Sequence, residues 1–200
     1  PLLTLPAAVP LMVISAGSSF ILLPIIGTVN LGIIYPLILI PIGIVGASNV
    51  VNMLGGFNGM EAGMGLVYML GLGILALLLG KDIAVLFFIS AAALIGFIRY
   101  NWYPAKILPG DSLTYLLGSV LASGVIIGNM ERIGIVMMTP FFIEFLLKLR
   151  SKFKASSLGR LEKDERIESI YGKRIYSLTH VIMRLGRFTE KEISIIFILL

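Results

Sequence analysis

The sequence predicts an all-α, polytopic transmembrane helix bundle, and three observations predict it. Apolar residues fill 58% of the 200 positions, only 14% are charged and the mean hydropathy is +1.00, whereas soluble domains carry roughly 25% charged residues. No charged side chain occurs before Glu61. Several apolar windows approach or reach the ~20 residues with which a helix crosses a ~30 Å hydrocarbon core.

Taken in order, the windows cover residues 1–17, 31–53, 62–80, 83–98, 113–128 and 133–147, six full spans, and a truncated seventh starts near Ile193. Each is assigned to a helix because lipid cannot satisfy the backbone groups of irregular chain or open sheet edges. Pro36 and Pro41 are expected to kink the second span, and small residues such as Gly43, Gly46, Ala47 and Ser48 to let helices approach closely. Both ends read as cuts: the chain opens inside a hydrophobic segment, without a basic n-region, and stops in "ISIIFILL". The expectation is one membrane domain, 1–200, the later part of a longer enzyme, with a charged cytoplasmic loop at 148–192. With no Cys there is no disulfide framework, and any metal must be held by oxygen ligands.

Basic residues concentrate on cytoplasmic loops. All 16 Lys and Arg except Lys81 and Arg132 fall in 99–111 or from Lys148 onward. Alternating the spans then puts three loops inside, 54–61, 99–111 and 148–192, and the 18–30 connection outside. Every loop rich in Asn, Gly, Asp or bases is thereby on one side, so a single site can draw on all three.

The first of these lies within "NVVNMLGGFNGMEAG", residues 49–63, where three asparagines, four glycines and a glutamate interrupt the apolar run. Asn49 and Asn52 share one helix face a turn apart, positioned to bond lipid phosphate, a neighbouring helix or a metal. Gly55, Gly56 and Gly59 suit close backbone approach to a ligand, or simply a tight turn. In "NWYPAKILPGDSLTYLLG", Asp111 is either the N-cap of the next helix or a hard oxygen ligand for Mg²⁺. Trp102 and Tyr103 read as an interfacial belt or a substrate wall. The third loop mixes acids and bases as a solvated surface segment does, with a basic excess able to hold anionic headgroups or nucleotide phosphate. His180, the single histidine, caps a helix or faces water, and "HVIMRLGRF" reads as an interfacial helix with Val181, Ile182 and Leu185 toward lipid. Glu144 lies inside a span, and Lys148 four residues later offers it an ion pair.

Together these motifs resemble the polyprenyl-phosphate N-acetylhexosamine-1-phosphate transferases of glycosyltransferase family four. Residues 49–63 resemble the family's Asn-x-x-Asn-x-x-(Asp/Gly)-Gly-x-(Asp/Asn)-Gly loop, and residues 101–118 the loop bearing its Pro-x-x-x-x-x-Gly-Asp signature. Gly55 and Asn58, where bacterial members have Asp, together with "NWYP", are similar to the dolichyl-phosphate branch of archaea and eukaryotes. The resemblance implies a transferase that moves GlcNAc-1-phosphate from UDP-GlcNAc to dolichyl or another polyprenyl phosphate, releasing UMP, the first step of lipid-linked oligosaccharide synthesis for N-glycosylation.

By the same resemblance Asp111 and Asn52 are catalytic and bind Mg²⁺, or Mn²⁺ in its place. Asn49, Asn58, Gly59, Glu61, Gly110, Arg160 and His180 are the substrate-binding candidates, and 45–53 borders the dolichyl phosphate. His180 stands where the bacterial branch has a His-x-His-His motif. The family's paired aspartates do not occur here, so the 200 residues alone are expected to be inactive. The expected setting is a multi-pass protein of the archaeal cell membrane or the endoplasmic reticulum, its site facing the cytosol, surrounded by membrane lipids, with no nucleic-acid partner and a homodimer left open. The rival from another class is a lipid or sugar-lipid transporter or flippase, which would place ionisable residues near the midplane.

Overall fold

In a computed structural model, residues 2–23, 27–162 and 164–200 are described. Four helices are long and apolar enough to cross a membrane: Tyr35–Met53, Met60–Leu78 (α3), Ala84–Asn101 (α4) and Gly110–Ile127 (α5). They match four of the six expected spans. The first of them opens with a wide turn, Tyr35–Leu39, before the regular helix α2, Ile40–Met53. Pro41 has no N–H for the carbonyl four residues back; the N–H of Ile40 instead reaches Tyr35 O, a five-residue step.

Prolines also account for two departures from the expected spans. Residues 2–13 form a 3₁₀ segment, Leu2–Ala8, carrying Pro6, and a short helix α1, Val9–Val13, with Pro10 in its first turn; Pro1 lies outside the described residues. The expected span at 133–147 is two helices, α6 (Glu131–Met137) and α7 (Thr139–Arg150). Pro140 cannot donate to Val136 O, and the Thr139 hydroxyl takes that carbonyl at 2.6 Å. The last helix, α9 (Glu190–Leu199), starts from a Thr189–Glu192 capping box.

The fold is mostly helical rather than all helical. Within 18–30, β1 (Phe20–Leu23) pairs antiparallel with β2 (Gly27–Asn30), while 24–26 lie outside the described residues. Between 148 and 192, where a solvated segment was expected, β3 (Arg160–Leu161), β4 (Arg166–Glu168) and β5 (Phe188–Thr189) form an antiparallel sheet in that order. Helix α8, Leu178–Leu185, packs on β4. Its Ile182 turns into the protein core, not toward lipid as expected; Leu185 stays exposed.

Two helix pairs organise the bundle, α3 with α4 and α2 with α5. At Gly118 the second pair touches backbone to backbone: a Cβ there would stand 2.5 Å from Ser48 Cα and 2.6 Å from Ala47 O. Ser48 and Ser119 hydroxyls meet at 2.9 Å across the seam. This seam positions the site, because one of its ends carries both the asparagine turn of α2 and the first turn of α5.

Candidate active site

From that seam outward, Asn52 comes first. Its Oδ1 accepts a 2.6 Å hydrogen bond from Thr114 Oγ1, a hydroxyl that also contacts the carbonyls of Gly110 and Asp111 at 3.4 and 3.2 Å. One buried threonine thus ties the last turn of α2 to the first turn of α5. Asn49 donates from Nδ2 back to Val45 O at 2.7 Å.

Asp111 is not an N-cap, the first of its two expected roles. Helix α5 begins at Gly110 with Pro109 before it, and no side chain caps it. Asp111 therefore sits inside the first turn, exposed, where the partial positive charge of the helix N-terminus favours a carboxylate. The preceding loop folds back on the end of α4. Asn101, fully buried, donates to Ile107 O at 2.9 Å, and the N–H groups of Lys106 and Ile107 reach Tyr100 O.

The elbow after α2 is braced from two directions. Glu61 Oε1 accepts from the Gly56 N–H at 2.7 Å, while Glu61 Oε2 is buried without a hydrogen-bond partner among the described residues. Asn58 is held through its backbone, its N–H donating to Glu190 Oε1 at 2.7 Å and its carbonyl accepting from Ser194 Oγ at 3.0 Å. Gly59 has φ +76°, and a Cβ on it would meet the Trp102 ring at 2.7 Å.

These pieces converge on a cleft of about 940 Å³ between the three loops. Asn49, Asn52, Glu61, Gly110 and Asp111 line it together. Val45, Val50, Phe145, Phe153 and Leu158 supply apolar wall, and Lys148 contributes a cation. Of the remaining candidates, Asn58 and Gly59 belong to the elbow's bracing and not to the lining. Arg160 is exposed on β3 in a 2.9 Å ion pair with Glu162, outside the lining.

His180 also stays out of the cleft, in contrast to its expected exposure. It is fully buried, its ring 5.1 Å from that of Tyr171 and its Nδ1 accepting from the Tyr176 N–H at 3.3 Å. Burial, with a smaller push from Lys148, holds its pKa below the usual 6.5 against the pull of the Ser156 carbonyl.

The sequence reading passes over Thr114 and the aromatic wall. The one available signal for Thr114 is its place three residues after Asp111, on the same helix face. Among the described residues no group of three His, Cys, Asp or Glu side chains forms a metal cage. The oxygen donors of Asp111 and Asn52 on one cleft suit a hard divalent cation whose other ligands come from phosphates.

A helical membrane protein with a cleft that joins a few polar oxygen donors to an apolar wall where three loops meet is thus the class defined by fold and site. The family model for glycosyl transferase family 4 matches residues 1–129, and the chain belongs to that family. It is 37% identical over 193 residues to a protein of Sulfolobus acidocaldarius, covering 95% of this chain and 58% of that protein. It is 39% identical over 193 residues to one of Saccharolobus solfataricus, covering 95% and 59%. Both carry the provisional name UDP-N-acetylglucosamine–dolichyl-phosphate N-acetylglucosaminephosphotransferase. A phospho-N-acetylmuramoyl-pentapeptide-transferase of Shouchella clausii is 38% identical over 118 residues, 58% of this chain and 36% of that protein. The chain spans about three fifths of the length of the two archaeal relatives.

Proposed function

We propose that these residues form the substrate cleft of a transferase that moves GlcNAc-1-phosphate from UDP-GlcNAc to dolichyl or another polyprenyl phosphate. In the reaction a phosphate oxygen of the lipid attacks the β-phosphorus of UDP-GlcNAc. The bond from that phosphorus to the bridging oxygen breaks, UMP leaves with the electron pair, and a lipid-linked pyrophosphoryl sugar remains. The observation that carries this reading is the convergence of Asn49, Asn52, Gly110 and Asp111 on one cleft with an apolar wall. A site for this chemistry needs a greasy approach for the lipid and a polar end for the phosphates, and its volume falls in the range of roughly 300–1,000 Å³ typical of ligand pockets.

Within that cleft, Val45 and Val50 border the polyprenyl phosphate and Asn49 and Asn52 face its headgroup. The glycine elbow lets the nucleotide phosphates come close to the backbone. Asp111 and Asn52 would hold Mg²⁺, or Mn²⁺ in its place, and a cation there supplies neutralisation of the charge that builds on the pyrophosphate. Thr114 keeps the Asn52 carbonyl oxygen directed toward the first turn of α5. The proposed setting is a multi-pass membrane protein whose cleft faces the cytosol, in line with the basic bias of the three loops.

The test is Mg²⁺-dependent release of UMP from UDP-GlcNAc in the presence of dolichyl phosphate, by the full-length protein that contains these residues. Asp111→Ala in that protein is expected to abolish release while leaving the protein folded; turnover retained by the variant rejects Asp111 as ligand. A folded wild type that releases no UMP from any of several sugar nucleotides favours lipid transport instead.

A further inference from the structure

Glu144 is fully buried near the middle of α7 and is not itself part of the cleft lining, to which its carboxylate is joined through Lys148 and Ser157. Its two oxygens gather two other pieces of chain and the next turn of α7 itself. Oε2 accepts from the Leu178 N–H at 2.7 Å and from Ser177 Oγ at 3.0 Å, which fastens the start of α8. Oε1 faces Lys148 Nζ at 3.8 Å and Ser157 Oγ at 3.5 Å.

Those partners reach on toward the cleft. Lys148 Nζ donates to Ala155 O at 2.8 Å. Thr179 Oγ1, in the first turn of α8, donates to Ser157 O at 2.5 Å. Ser157 Oγ lies 3.3 Å from Met53 O, so its one proton serves either that carbonyl or Glu144. Met53 directly follows Asn52, and Leu158 rests on Gly56, where a Cβ would come within 2.9 Å of its Cδ2. Segment 155–158 is therefore a roof set down on the glycine elbow and held from behind by one carboxylate.

The geometry points to Glu144 as a positioning residue for the sugar nucleotide: through Ser157 and the first turn of α8 it fixes the 155–158 roof over the elbow at 53–56. The inference rests on the transferase reading for its substrate. The roof rests on Gly56 and on the Met53 carbonyl, beside the glycine elbow that the transferase reading gives to the nucleotide phosphates, whereas Asn49 and Val45 of the lipid-bordering stretch lie one and two turns back along α2. Loosening the roof should thus weaken UDP-GlcNAc binding more than it slows the chemical step. Glu144→Gln keeps the shape but removes the charge and one of the two acceptor oxygens, so that either Leu178 and Ser177 or Lys148 and Ser157 face an NH₂ group that cannot accept. Ser157→Ala removes only the link between the carboxylate and the elbow.

The experiment measures UMP release and amide hydrogen exchange in the full-length protein, for wild type, both single variants and the double variant. Glu144→Gln is expected to raise KM for UDP-GlcNAc about tenfold, the scale of one charge-assisted hydrogen bond, with kcat held within about twofold. Ser157→Ala should raise KM about threefold, and the double variant should be no worse than Glu144→Gln, because both act through one contact. Exchange should quicken at 155–158 and 53–56 in each variant. Unchanged KM in folded variants, a loss confined to kcat, or effects that multiply in the double variant overturn the assignment. If Glu144→Gln does not fold, Ser157→Ala decides alone, and unchanged KM with unchanged exchange rejects the clamp. A wild type without UMP release fails the transferase reading instead; exchange then judges the clamp, and protection that survives both substitutions overturns it.

Discussion

At Thr114 a single hydroxyl decides where the Asn52 amide points. Its 2.6 Å bond to Asn52 Oδ1 crosses between two helices in a buried position, and the net worth of such a bond is about 1 kcal/mol. Thr114→Val keeps the shape and removes the donor. If the Asn52 oxygen must be held for the reacting phosphates, kcat should fall by roughly fivefold with little change in KM, and Thr114→Ser should recover most of it. Equal kcat in all three proteins would place Asn52 outside the chemistry. Helix period put Asn49 and Asn52 on one face and Pro109-Gly110 marked the start of α5, but it was the resemblance of the two motifs to the family that made Asn49, Asn52, Gly110 and Asp111 legible as one site. Thr114, Phe145 and Lys148 were not legible as a group because their convergence depends on how α5 and α7 pack against α2, which no local spacing encodes. The N-cap reading of Asp111 failed for a local reason: the chain enters the helix at Gly110, with φ +57°, one residue earlier than the acid.

The charged element between α7 and α9 shows the opposite relation between sequence and structure. Its composition suggests a solvated strap, yet Ile167 and Phe188 pair across β4 and β5, and His180 lies buried beneath Tyr171. Scattered apolar residues in a charge-rich stretch leave no periodic signal over two- and three-residue strands, so this small sheet was unreadable. The burial of His180 has a pH consequence. Its folded pKa lies below the usual 6.5, so below that pH the unfolded chain binds a proton that the folded chain excludes, and stability falls as pH decreases. The contribution is fully present above pH 6.5 and is lost progressively from 6.5 down toward the folded pKa, below which it is flat. The melting temperature of the protein in detergent should therefore decline on acidification past pH 6.5. His180→Asn, which retains an acceptor for the Tyr176 N–H but does not titrate, should flatten that part of the decline. Identical pH profiles for the two proteins would contradict this account of the buried imidazole.

At the scale of the whole molecule, the bundle works as a frame that holds two motifs, distant in sequence, across one seam. Apolar length made four spans legible with boundaries correct to a few residues. It did not foresee the broken helices within 1–17 and 133–147, because hydropathy does not register a missing N–H, and Pro6, Pro10 and Pro140 lie in those segments. The seam between α2 and α5 makes a further prediction. Gly118 lies four residues beyond Thr114, on the same face of α5, and the atoms a Cβ would strike are the backbone of Ala47 and Ser48, which cannot swing aside. Gly118→Ala must push the helices apart, at a cost in the range of about 1–3 kcal/mol for overpacking. The displacement acts one turn from the Thr114–Asn52 bond, so activity should fall further than lost folding accounts for. Gly96→Ala on α4, where a Cβ meets nothing within 4 Å, is the control and should be neutral or slightly stabilising. Melting temperature and UMP release measured on both variants test the point. A Gly118→Ala protein that melts early but turns over normally when folded would mean that the seam supports the fold without setting the distance between Asn52 and Asp111.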